Sequence, residues 1–144
     1  MSKRRDVQLA VKALIVRALP YARVRGFDDD PVKPSHPDPG GDVLGYPGSP
    51  GEPQVDLSPL TYNYEHEMVL EVSPRPGDGG DELLDAMLSA IGVEIQADRT
   101  LGGLADWIEA AMPDTNDRNT DGAAGTRWAR VALTVSYATE DPLN

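Results

Sequence analysis

The chain contains no cysteine. That absence removes disulfide cross-links, thiolate metal sites and a cysteine nucleophile together. Aromatic residues are scarce at 6%, with one Phe and two Trp, and there are only two histidines. No apolar run approaches the roughly 18 residues of a transmembrane helix. The phosphate-cradling pattern G-x-x-x-x-G-K-[ST] is missing. So is the serine-hydrolase elbow G-x-S-x-G, because Gly48-Ser49-Pro50-Gly51 does not match it. Basic residues are outnumbered 13 to 24 by acidic ones, giving a net charge of −11. A chain this acidic repels nucleic acid in bulk, so no specific nucleic-acid partner is expected.

What remains fits a soluble globular chain, with 40% apolar and 26% charged residues over 144 positions. That length corresponds to one domain, which can hide about 68–70% of the surface its unfolded chain exposes. Fourteen glycines and thirteen prolines imply long loops. The charge is unevenly spread. Residues 1–27 carry seven Lys/Arg against Asp6 alone, while the remainder carries six basic and 23 acidic groups. No aromatic stacking residues stand among the basic ones, so the segment reads as a basic helix packed on an acidic body or an acidic neighbour. Lys12 and Arg17 interrupt its apolar stretch, which argues for an amphipathic helix and against a signal peptide.

Helical spacing of Val7, Ala10, Val11, Leu14 and Ala18 predicts a helix over 5–19, with Lys12 off the stripe and Pro20 as its stop. Residues 21–27 alternate as a short strand. Residues 28–59 hold eight prolines and five glycines and read as a long loop insertion, with a brief strand near 42–44. Residues 60–72 alternate most clearly. Tyr62, Tyr64, His66, Met68, Leu70 and Val72 form one face and mostly polar residues the other. A second helix opens after Gly79-Gly80, buries Leu83, Leu84, Met87, Leu88 and Ile91, and is capped by Gly92. Residues 93–112 fit either a helix capped by Thr100 or a short strand over 104–109. Residues 113–126 read as a polar loop. Residues 127–138 form the last strand, with Ala129, Val131, Leu133, Val135 and Tyr137 on one face. The expected fold is α+β. It is a mainly antiparallel sheet of about four strands, with two helices packed on one face and a long Pro/Gly-rich loop over 28–59, all in a single domain of residues 1–144.

Candidate chemistry is thin. Glu65-His66-Glu67 invites a metal, but strand neighbours point to opposite faces, and the zincin position four residues on is Leu70. His66 therefore reads as a half-buried histidine bonded to Tyr64 or to a backbone group. His36 has no identifiable partner. Asp117, Asn119 and Asp121 followed by Gly122 match the first half of a calcium loop. The closing Glu is replaced by Trp128, so an Asx-rich turn is the competing reading. No two carboxylates have a spacing that pairs them as acid and base. Neither catalytic nor cofactor-binding residues, nor a cofactor, are expected. Opposite charge on different surfaces suits head-to-tail self-assembly.

Three strings carry a resemblance: Gly51–Pro53 with Val55 and Leu57–His66, then Ala97–Glu109, and then Val131–Thr139 with Asp141–Leu143. Together they resemble small tail terminator, or tail completion, proteins of long-tailed phages and prophages. Some members of that family carry the label acyl-CoA transferase. The resemblance implies an α+β virion protein that forms a hexameric ring, caps the tail tube and meets the head–tail connector. It assembles in the bacterial cytoplasm and resides in the virion tail, with no membrane partner. The strand reading of 104–109 is also favoured, and no catalytic residue is implied. The alternatives are a neck or head-completion protein binding portal or adaptor, an acyl-CoA transferase-type enzyme, and a calcium-binding module.

Overall fold

The computed structural model describes residues 2–32, 40–75, 79–117 and 127–144. In chain order the elements are α1 (Lys3–Ala18), β1 (Arg23–Gly26), β2 (Asp28–Val32), β3 (Asp42–Pro47), β4 (Gln54–Leu57) and β5 (Leu60–Ser73). They continue with α2 (Gly80–Ala97), a 3-10 turn (Leu101–Gly103), β6 (Trp107–Ala110), β7 (Asp114–Asp117) and β8 (Arg127–Thr139). Among the described residues no helix is long and apolar enough to cross a membrane.

The two most strongly alternating segments become the two longest strands, and they pair with each other. β5 and β8 run antiparallel through eleven successive partners, from Tyr62↔Thr139 to Val72↔Ala129. Every other strand is assembled on this pair. β3 and β4 share the free edge of β5, and β6 and β7 share that of β8. β1 and β2 extend the sheet beyond β3, giving the order β2-β1-β3-β5-β8-β6. The fold is α+β, as expected. The sheet is larger than the four antiparallel strands expected: among the described residues it has eight, and β1 pairs with β3 in parallel.

The 28–59 segment is where the expectation fails most. It contributes β2, β3 and β4 in place of one brief strand. Proline did not prevent this. Pro31 falls in β2, an edge strand, where proline is tolerated, and Pro47 ends β3. Gly45 belongs to a strand because the Phe27 ring lies over it. A Cβ there would stand 2.4 Å from that ring. Gly26 and Phe27 both take positive φ (95° and 60°) at the single-residue reversal between β1 and β2. These residues serve close approach inside a sheet, a use that composition cannot distinguish from a turn.

One core fills the space between the helices and the even-numbered face of β5, where Met68, Leu70 and Val72 are buried with Leu133 and Val135 of β8. Helix α1 starts with Ser2 as N-cap, its side chain accepting from the Arg5 amide, and buries Val7, Val11, Leu14 and Ile15. Helix α2 buries Leu84, Met87, Ile91 and Ile95. That stripe carries it through Gly92, the expected cap, to Ala97. Continued burial at Ile95 outweighs the roughly 1 kcal/mol helix penalty of one glycine. Residues 101–110 divide into the 3-10 turn and the β6 strand, so the strand reading holds in its second half.

Lys12 departs from its expected exposed position. It is 4% exposed and pairs with Asp28 at the start of β2. On the surface, Arg17 pairs with Glu94 (3.1 Å) and Asp98 (3.4 Å) of the acidic helix α2, contacts worth at most about 1 kcal/mol. The Lys12 pair is different. Removing the carboxylate takes a close anionic partner from a buried ammonium, whereas removing the ammonium leaves a partly exposed Asp28 that water can reach. Asp28→Ala should therefore cost about 3 kcal/mol in denaturant unfolding, and Lys12→Met clearly less. Equal losses would contradict the asymmetry.

Candidate functional site

The β5–β8 ladder separates two faces. Residues 62, 64, 66, 68, 70 and 72 of β5 face the helices. The opposite face carries Glu65, Glu67 and Glu71, with Val69 as its one deeply buried apolar member on β5. The register places Glu65, Ser136 and Trp107 side by side on that outer face, and Glu67, Thr134 and Glu109 in the next row.

Towards the Leu60 end, β5 outruns the helices and folds back on β4 through the cis Ser58–Pro59 bond. Register keeps the alternation intact. Val55 pairs with Tyr62 and Leu57 with Leu60, so these four side chains lie on the face that is core elsewhere. Here the described residues cover it thinly, with Tyr62 half-buried. Leu57 is 83% exposed, Leu60 46% and Val55 43%. The other face is polar and internally tied: Asn63 donates from Nδ2 to the Gln54 carbonyl (3.2 Å) and to Asp56 Oδ2 (3.0 Å). The result is an ordered two-stranded arm with a thinly covered apolar face. Among the described residues its outer strand, β4, pairs with β5 alone and has one charge, Asp56, on an edge open to further pairing.

The β6 edge is treated differently. The Ile108 amide donates to the Arg99 carbonyl (2.9 Å), and Arg99 Nη1 donates to the Ile108 carbonyl (2.9 Å), which satisfies the outward edge. The same guanidinium lies 4.8 Å from the centre of the Trp107 ring, whose indole N–H donates to Glu109 Oε2 (2.8 Å). Trp107 stays 48% exposed in this fixed setting, and Met112 just beyond is 90% exposed. The arm, the Trp107 strand and the last turns of β8 meet at one end of the sheet. These are the three strings singled out in the sequence, far apart along the chain and joined through Tyr62↔Thr139 and Trp107↔Ser136.

The sequence-predicted sites fare differently. His66 is buried at 2% exposure on the core face, with the expected backbone bond, to Gly48; its tyrosine partner is Tyr137 and not Tyr64, Nδ1 and the phenol oxygen being 2.8 Å apart. Tyr64 instead stands beside Tyr137, with ring centres 6.0 Å apart. Glu65 and Glu67 lie on the opposite face and bring no ligand to His66. Among the described residues no three His, Asp or Glu side chains are grouped as metal ligands. Asp117 ends β7, while Asn119 and Asp121 of the calcium-loop candidate lie outside the described residues, as does His36. The arm was missed because its strand content was masked by proline and glycine.

Burial pushes the His66 imidazole below its ordinary pKa, against a hydrogen bond with the Gly48 backbone that raises it, and the Arg4 charge lowers it further. The folded value thus lies below the unfolded one of about 6.5. Stability from a neutral His66 is complete above the unfolded value and is lost as pH falls through the folded one. The melting temperature of the native protein should drop more steeply between about pH 7 and pH 5 than that of His66→Leu. Parallel profiles would show that His66 contributes nothing to acid sensitivity. In comparisons with known proteins, no family model matches the chain and no curated protein matches it.

Proposed function

We propose that this chain is a ring-forming structural subunit of a long-tailed phage or prophage particle, of the tail-terminator kind. It caps the tail tube and joins tail to head. The observation that carries the reading is the thinly covered apolar face of the β4–β5 arm, lying where the three family-like segments meet. An arm held by a ladder but with little cover of its own suits a subunit completed by its neighbour. Full burial of an exposed side chain such as Leu57 contributes roughly 1.5–3 kcal/mol, so a few such contacts repeated around a ring favour closure. Head-to-tail contacts between unlike surfaces close into rings, and the basic α1 and acidic sheet face are unlike surfaces. The acidic balance also suits a channel through which DNA slides without sticking.

The test combines the purified chain with tail-tube subunits from the same gene cluster, read by mass photometry and negative-stain microscopy. A sixfold ring at the ends of short tubes is the expected result. Leu57→Asp combined with Leu60→Asp should abolish capping while the melting temperature moves by no more than about 3 °C, since neither side chain is in the core. A chain that ignores tubes and binds portal or adaptor would move the assignment to the neck. Binding to neither would end the structural-subunit reading.

A further inference from the structure

A cavity of about 580 Å³ opens between the first turns of α1, the Pro47–Pro50 segment and the ends of β5 and β8. That volume lies within the range of small-molecule sites. Its polar lining includes Arg4, Arg5 and Gln8 on α1, His66 on β5, and Thr139 and Asn144 at the end of the chain. Its walls are rings: Phe27, Tyr64 and Tyr137, with three prolines. Among the described residues no Asp or Glu side chain lines it, in a chain with 24 acidic residues.

Two features mark the cavity as built to hold something. Gln8 lines it at 7% exposure, and its side-chain amide has no hydrogen-bond partner among the described residues. The amide is not fully enclosed: it meets the open space of the cavity, where water or a ligand oxygen can bond it. Arg4 also lines it and makes no ion pair among the described residues, whereas Arg5 is committed to the Phe27 carbonyl. The positive end of the 16-residue helix α1 lies at the same place, since Arg4 and Arg5 belong to its first turn.

We infer that this cavity is a binding site for a small aromatic monocarboxylate, with its carboxylate between Arg4 and Gln8 and its ring among Phe27, Tyr64 and Tyr137. One uncommitted guanidinium matches one negative charge, and a planar fork suits a carboxylate. The ring walls suit a flat apolar body. The strongly acidic remainder of the chain disfavours a dianion such as phosphate. The assignment does not rest on the ring-assembly reading.

The experiment is an NMR titration of the full chain with benzoate, following the Gln8 side-chain amide and the Arg4 Nε–H signals. Benzamide serves as the uncharged control and inorganic phosphate as the ring-less anion. Saturable shifts of both signals by benzoate are expected, with at least about tenfold weaker binding of benzamide and of phosphate. Arg4 is exposed, so Arg4→Glu should fold normally and lose benzoate binding by at least about tenfold. Gln8→Met should weaken it while filling the same volume. No saturable shift, equal response to benzamide, equal response to phosphate, or unchanged binding in a folded Arg4→Glu variant would each overturn the assignment.

Discussion

Eleven consecutive antiparallel partners between β5 and β8 are the constraint on which the structure depends. Because side chains on a strand alternate strictly, this one register decides what is core and what is surface over most of the sheet. It sends Met68, Leu70, Val72, Leu133 and Val135 towards the helices and the glutamates of β5 outward. It places Tyr137 where His66 can bond it. A slip by one residue would reverse both faces at once, so the register is specified by burial along the full length of the pair.

The same ladder explains why the arm exists. β5 continues past the point where the helices end, and the alternation continues with it. An apolar face is thereby carried beyond its cover to Val55, Leu57, Leu60 and Tyr62. In a chain that functioned alone this would be an aggregation liability at an open edge. Elsewhere the fold closes such openings. Arg99 satisfies the outer edge of β6 with its own carbonyl and guanidinium and stacks on Trp107. One edge is plugged and the other left open, and that contrast is the physical content of the assembly reading.

Sequence legibility followed contact range. β5 and β8 were readable because their patterns are long and local, and α1 because its stripe and Pro20 agree. The 28–59 segment was not readable as strands. Its prolines sit at an edge and at a strand end, and Gly45 is required by the Phe27 ring, facts that exist only once the sheet is assembled. Lys12 was misplaced because its partner Asp28 arrives from a different element. The His66–Tyr137 contact spans 71 positions and follows only from the β5–β8 register. Of the candidate site, the strings were visible but their convergence was not, because the residues between them carry no signal of which strand meets which.

The β4–β5 arm is held by its ladder but lacks a second layer among the described residues, so its outer strand is open to fraying. Hydrogen–deuterium exchange of the chain, alone and with tail tubes from its gene cluster, measures this most directly. The account predicts slow exchange over 64–72 and 129–137 in both states. Over 54–63 it predicts faster exchange in the isolated chain and marked protection once tubes are added. Arm amides already as protected as the ladder in the isolated chain, or unchanged in the presence of tubes, would contradict it.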